Sequence, residues 1–517
     1  MDYATPLKGS KSLFLAVLIS VNASCTGPDE SSSTTQSPPL IETSGDVQDA
    51  FLQWPLPPGA DQYADIDGRQ MLEYVVEQAE ISRRYRDEIH PKFWGRIIGS
   101  ESDAWSAEWL KDNFESIGLS DVRIQPFDLA PQWMPQTYEV VITSGSTTLE
   151  LESAQPTYRA VPTPAAGLEL EAVYVGLGRE ADFRGRDVRG KAVFTYGMFG
   201  LSDQGAVARA DTAGAAAIFE VHMLPGNMRY QAYPARAGVP TMTLGGDDGV
   251  AVERLVASAP PEQPVRVGIR LDVEMVPNLQ TSIVWGTLPG MTDETIYVMA
   301  HRDGWFDASG DNAAGVASML GLAEHYARIP QSERRRTLVF MGIDGHHNSG
   351  EGSSVGGRWL VENREELFGQ TALVINAEHP STVQTSSRPR WASTAREMGP
   401  GQDIFWTNSY TGQQWYAGGP SRPELQQITV NAFREFGVTY YLDPNHWPPA
   451  GDLSRIFRYV PGVATSDFYH YFHTDLETPE TVPWTGLEAS TRAYARIIDE
   501  VNKHDLSVFK RPEEVEQ

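Results

Sequence analysis

From about residue 280 onward, short apolar runs alternate with amphipathic stretches. This alternation constrains the fold more tightly than any other feature of the chain. The runs "ETIYVMA" at 294–300, "RTLVFMGI" at 336–343 and "ALVIN" at 372–376 have the length and apolar content of buried strands. Residues 313–329, 355–364 and 423–436 carry helical spacing, and a further strand is expected at 438–442. Strands alternating with helices imply an α/β fold, a mostly parallel central sheet with helices on both faces. Ligands of such sheets bind outside the carboxyl ends of the strands, so the residues that follow each strand carry the functional information.

Those strand exits are rich in metal-capable side chains. The first reads His301-Arg302-Asp303-Gly304-Trp305 and continues to Asp311-Asn312. The second reads Asp344-Gly345-His346-His347, with Glu351 in the Gly/Ser-rich loop beyond, and the third reads Asn376-Ala377-Glu378-His379. A last cluster surrounds His473 in "YFHTDLETPETV". Eight of the 11 histidines fall between His301 and His473, a clustering that scattered solvated imidazoles would not produce. Taken together, His301, Asp311, Glu378 and His473 are expected to bind metal. Asp303, two residues past His301, is placed to hold that imidazole through its other nitrogen.

Upstream of the alternation the chain changes character. Residues 64–118 contain two helical patterns, Met71, Leu72, Val75, Val76, Ala79 and Ala107, Leu110, Phe114, Ile117, the second stopped by Gly118. Strands are expected at 122–125, 138–142 and 148–151. "GKAVF", "ARADTAGAAAIFEV" and "AGVPTMTL" resemble the protease-associated domain, a small β-rich insert of secreted peptidases, which implies a role in substrate access. At the N-terminus, Lys8 and Lys11 precede an apolar run at 13–21 and Asn22-Ala23-Ser24-Cys25, the pattern of a secretory signal with a lipobox-like ending. That run is about ten residues, short of the ~20 a spanning helix takes. The expected organisation is a signal with a lipobox at 1–25, a tether at 26–62, the N-terminal part of the main domain at 63–150, the insert at 151–278, the main domain at 279–507 and a tail at 508–517. The protein is thus expected to be exported, as a periplasmic or cell-surface lipoprotein or a secreted protein. A lipid on Cys25 would be its only membrane attachment.

Charge and cysteine content narrow the chemistry. Lys and Arg number 41 against 68 Asp and Glu, a formal net charge of −27, which disfavours contact with a phosphate backbone. Cys25 is the only cysteine, so neither an intramolecular disulfide nor a thiolate metal site can form.

"AHRDGW", "GDNAAGVA", "RRTLVFMGIDG", "VINAE" and "YFHTDLETPETV", with "GRIIGSESDAWSAEWLKDNFESIGL" upstream, resemble the co-catalytic zinc aminopeptidase/carboxypeptidase family, in the form seen in glutamate carboxypeptidase II and the transferrin receptor. The resemblance runs from about 65 to 505. It implies two zinc ions bridged by Asp311, with His301 and the carboxylate of Glu378 on one, His473 on the other, and Asp303 supporting His301. No counterpart of the long helical dimerisation domain is seen, so assembly is left open. Two departures stand out. His346-His347 occupies the place of the family's Glu-Glu, its base and a ligand, and Glu378 stands where the family has Asp. The resemblance therefore implies His347 as a ligand. An imidazole titrates near neutrality, so His346 is the candidate base, with Glu351 as a substitute carboxylate. With one carboxylate fewer the site is more positive, and one or two zinc ions are expected, with copper or iron as alternatives. The expected function is an exported metal-dependent hydrolase of amide bonds in peptides or acylated amino acids. An inactive peptidase-like binding protein and an oxidoreductase on a three-His site are the alternatives.

Overall fold

A computed structural model describes residues 55–197, 205–222, 226–235, 237–347, 354–387, 404–407, 413–417, 422–438, 440–441, 449, 451–466, 469 and 471–509. Cys25 and the N-terminal segments, Glu351, part of the aromatic stretch 406–416 and most of the tail lie outside these residues.

Along the strand Thr292–His301 successive side chains enter opposite apolar layers, as the twofold period of a strand requires. Ile296, Val298 and Ala300 join a cluster with Met71, Leu110, Phe114, Leu320 and Ile498, from helices on one face of the sheet. Tyr297 and Met299 join another with Leu360, Leu453 and Ile456, on the opposite face. A strand buried on both faces has little use for polar residues, which is why this segment reads as a continuous apolar run.

The sheet is eight-stranded, in the order 440–441, Gln413–Ala417, Gly462–Ser466, Thr371–Asn376, Thr292–His301, Arg336–Ile343, Gln280–Leu288 and Ser120–Asp128. Its central strands are parallel. Antiparallel partners flank them at Gln413–Ala417, Gln280–Leu288 and Ser120–Asp128. The expected parallel α/β sheet is therefore present, and three of its exits lie on neighbouring strands. The expected strand at 438–442 is reduced to Tyr440–Tyr441 among the described residues.

A second eight-stranded sheet occupies the chain between the two halves of the first, and Leu168–Tyr174, Ala192–Gly197, Ala217–His222 and Thr241–Leu244 form its parallel part. Its pairing reaches back before the expected boundary at 151. The strand Gln132–Ser144 pairs with Arg266–Val276 along its whole length, so the second sheet opens at 132.

Among the described residues, the long helices Gly246–Ser258 and Trp484–Asn502 escape the sequence pattern. The second is buried along most of its length yet carries Thr485, Glu488, Ser490, Thr491 and Arg492 inside. Four of those five polar residues find partners: Thr491 donates to Ser318 at 2.9 Å, Ser490 to the Pro380 carbonyl at 2.7 Å, and Arg492 pairs with Glu488. Internal hydrogen bonding of this kind lets polar side chains enter the core without leaving unpaired groups there.

Arg96 ties the N-terminal helices to the loop that follows Thr292–His301. The short strand Gly95–Arg96 pairs antiparallel with Gly304–Trp305. Gly95 allows this approach, since a Cβ there would lie 2.2 Å from the Gly304 carbonyl oxygen. The fully buried guanidinium donates to the carbonyls of Arg302 (2.7 Å), Asp307 (2.8 Å), Ala308 (3.0 Å) and Gln78 (3.3 Å) and to the Ser82 hydroxyl (3.1 Å). Burial pulls its pKa down to about 10, against the opposing pull of Asp303 and Asp307, so it stays charged at neutral pH. Each acceptor abandoned in the interior costs roughly 1–3 kcal/mol before relaxation. Arg96→Met should therefore lower the unfolding free energy by at least about 3 kcal/mol, read from the urea midpoint. A loss below about 1 kcal/mol would show that other contacts hold the loop.

Candidate metal centre

Each expected ligand is carried to the same edge of the sheet by a strand end or a helix start. His301 is the last residue of Thr292–His301; His346 and His347 lie just past Arg336–Ile343; Glu378 and His379 lie just past Thr371–Asn376. Asp311 sits immediately before the helix Ala314–Ala327, and His473 arrives from the loop after Gly462–Ser466. His379 and His473 have positive φ (45° and 60°), unusual for side-chain-bearing residues.

The Asp311 carboxylate is the centre. Its Oδ1 lies 3.0 Å from His301 Nε2 and 2.9 Å from His379 Nε2. Its Oδ2 lies 2.9 Å from His347 Nε2 and 3.0 Å from His473 Nε2. Asp303 orients two of these rings from behind. Its Oδ1 is 2.8 Å from His301 Nδ1, and its Oδ2 is 2.9 Å from His347 Nδ1 and accepts the His347 backbone N–H at 2.8 Å. With Nδ1 engaged in this way, Nε2 of both rings faces Asp311. Glu477 fixes the other side: Oε1 accepts from the Asp311 N–H (2.7 Å) and the Tyr469 hydroxyl (2.5 Å), and Oε2 from the His473 N–H (2.8 Å).

The second sheet reaches this centre. Gln231 N–H donates to the His473 carbonyl at 2.9 Å, and Arg229 pairs with Asp475 at 3.2 Å. The Tyr233 ring lies parallel to His347 at 6.0 Å and edge-on to His473 at 5.0 Å, and Trp305 packs against both imidazoles. Burial, helped by Asp311 and Asp303, pushes the Tyr233 hydroxyl far above its ordinary pKa, so it remains a neutral phenol.

Electrostatics follow from this crowding. Burial opposes charge on His347, but Asp303 and Asp311 outweigh it and hold its pKa up at about 10. The same two carboxylates hold His301 well above the ordinary range against burial. His473 is driven down to about 3 by burial, with the charge on His347 adding to the effect. Asp303 and Asp311 stay ionised despite burial, held low by the surrounding histidines, His347 foremost. His347 Nε2 and His473 Nε2 are 3.0 Å apart, and one proton on His347 relieves the repulsion of their lone pairs.

The structure thus brings His301, Asp311, His347 and His473 together, with Asp303 behind them. Donor atoms of Glu378 lie within 4.8 Å of those of His301 and His346, and its Oε2 accepts from Asn376 Nδ2 at 2.7 Å and from the Asp452 N–H at 3.2 Å. His346 is partly exposed at the rim, its Nδ1 3.3 Å from Asp452, and its ring stacks on His347 at 4.7 Å. Glu351 lies outside the described residues. The sequence reading missed His379, Glu477 and Tyr233 as parts of the site. His379 had a signal, being a histidine at a strand exit; Glu477 and Tyr233 are joined to the site only by tertiary contacts.

Residues 284–498 match Peptidase family M28. BSAP, a zinc aminopeptidase from Bacillus subtilis, superposes with a TM-score of 0.59 at 16% identity, over 86% of this chain and 99% of that one. The M28 peptidase precursor of Shewanella amazonensis gives a TM-score of 0.60 at 17% identity, over 89% and 97%. The probable glutamate carboxypeptidase VP8 of Zea mays is 24% identical over 277 residues, 43% of this chain and 38% of that protein. The matched stretch is therefore well under half the length of that curated relative. The expected zinc-exopeptidase resemblance and the α/β fold are both borne out.

The donor set of the M28 segment fits divalent ions. Donor atoms of His301, Asp311 and His379, and of Asp311, His347 and His473, lie within 4.8 Å of one another. His301 Nε2 and Asp311 Oδ1 are buried and face each other without forming a hydrogen bond. Two nitrogens bound about 2.0–2.1 Å from one tetrahedral zinc sit about 3.3 Å apart, close to the His347–His473 separation. Only neutral imidazole binds metal, and His347 keeps its proton up to about 10. Binding must displace that proton, so zinc affinity should rise about tenfold per pH unit between about pH 6 and 9 in chelator competition. A flat profile would contradict the protonated imidazole. Asp303→Asn should weaken zinc retention by about 10–100-fold, because one carboxylate orients two rings. Unchanged retention would show that Asp303 does not orient them.

Proposed function

We propose that this protein is an exported zinc-dependent hydrolase of amide bonds in peptides or acylated amino acids. The observation that carries the reading is the buried Asp311 carboxylate with imidazoles on both oxygens, at the carboxyl edge of an M28-type sheet. Export and lipid attachment at Cys25 rest on the N-terminal sequence pattern alone.

In this reading His301, Asp311, His347 and His473 would hold zinc, with Asp311 the residue placed between the two imidazole pairs. Bound zinc supplies Lewis acidity toward the scissile carbonyl and acidifies a water for attack. The protein's own part is placement and proton handling. Asp303 and Glu477 fix the rings and the bridging carboxylate, so little reorganisation is needed as charge develops. His346, at the partly exposed rim and backed by Asp452, takes the proton from the attacking water and returns it to the leaving nitrogen. Tyr233 and Trp305 narrow the approach to His347 and His473 and exclude water beside them.

The direct test is a peptide-library screen with zinc-loaded protein. Cleavage that disappears on chelation and returns with zinc is expected; fully zinc-loaded protein that cleaves no member would overturn the hydrolase reading. His346→Ala should lower kcat by about 10²–10⁴-fold with zinc content unchanged. Full turnover in that variant would remove His346 from its role as base.

A further inference from the structure

The two poles of Asp311 are built from different chain segments, yet each presents a pair of imidazole nitrogens. At Oδ2 these are His347 and His473; at Oδ1 they are His301 and His379. We infer that His379, rather than the neighbouring Glu378, completes the Oδ1 pole, so that the metal centre is one bridging carboxylate flanked by two imidazoles on each side. The inference deepens the proposed hydrolase and rests on that reading.

Three observations place His379 in this role. Its Nε2 lies 2.9 Å from Asp311 Oδ1, and His301, Asp311 and His379 form a buried group of mutually close donor atoms. Its backbone is held facing Asp311: the His379 N–H donates to Asn312 Oδ1 at 3.2 Å, and Asn312 Nδ2 donates to the Ala377 carbonyl at 2.9 Å. Asn312 thereby clamps the strand exit beside the residue that follows Asp311. The ring is wedged edge-on between Phe472 (5.4 Å) and Tyr469 (6.0 Å), and the backbone adopts the left-handed conformation that turns it inward.

Glu378 points elsewhere. Its Oε2 is taken by Asn376 and by the Asp452 N–H, and it packs beneath Gly451, where a Cβ would come 1.6 Å from the same oxygen. Among the described residues its donor atoms group with His301 and His346, and no group contains both Glu378 and Asp311.

A centre with four imidazoles and one shared carboxylate is nitrogen-rich and carries excess positive charge. It should prefer zinc, cobalt, nickel or copper to manganese or magnesium, which favour oxygen donors.

The experiment combines metal analysis with a count of bound nitrogens in the full chain. After exhaustive dialysis the unaltered protein should retain two zinc ions; His379→Gln should retain one, and Glu378→Gln two. Thermal unfolding of the metal-free forms shows whether each variant folds. The unaltered protein, loaded with cadmium-113 and labelled with nitrogen-15 histidine, needs no variant: each cadmium should couple to two imidazole nitrogens. Two zinc ions in His379→Gln, loss of one in Glu378→Gln, or a cadmium coupled to a single imidazole would overturn the assignment. If unaltered protein bound zinc and cleaved peptides while any of these held, only the role of His379 would fall. Unaltered protein that bound no zinc and cleaved nothing would defeat the hydrolase reading itself.

Discussion

Each oxygen of the Asp311 carboxylate faces two imidazole nitrogens at 2.9 or 3.0 Å, in a place almost closed to solvent. An ionised carboxylate buried in this way is costly unless positive charge meets it. Here protons on the histidines meet that need, which is why His347 stays protonated far above the ordinary range of its side chain. A divalent ion at either pole would serve the same electrostatic end with more charge and without a proton. Much of the surrounding construction follows from that balance. Asp303 fixes two rings from behind, Glu477 fixes the backbone of Asp311 and His473, and Arg96 anchors the loop between His301 and Asp311 by its carbonyls.

The fold delivers these groups because neighbouring parallel strands end at one edge of the sheet. Thr371–Asn376, Thr292–His301 and Arg336–Ile343 lie side by side, and each releases a histidine within a few residues of its carboxyl end. Helices on both faces hold those strands through separate apolar clusters, so the edge is set by the core of the sheet and not by loop conformation alone. The second sheet then closes one side, with Gln231 hydrogen-bonded to the His473 backbone and Tyr233 against two of the imidazoles. An insert that touches the ligands themselves can influence both access and ring placement.

The sequence was informative where a feature is local. Two faces of burial made the central strands legible as apolar runs; the strand exits pointed to His301, Asp311, Glu378 and His473, and the family resemblance implied His347. Glu378 shows where that reading ends. Alignment with the family's carboxylate is a statement about position along the chain; in space the Glu378 carboxylate accepts from Asn376 and groups with His301 and His346 rather than with Asp311. His379, one residue later, was visible as a histidine, but its inward turn depends on a positive φ and on the Asn312 clamp, which no pattern encodes. Tyr233 and Glu477 reach the site only through tertiary contacts.

Anomalous diffraction at the zinc edge from crystals grown with zinc tests the central claim most directly. Two peaks, one beside each oxygen of the Asp311 carboxylate and each within bonding distance of two histidine Nε2 atoms, are the result this account requires. Zinc-saturated crystals with no peak beside either oxygen of the Asp311 carboxylate would contradict it.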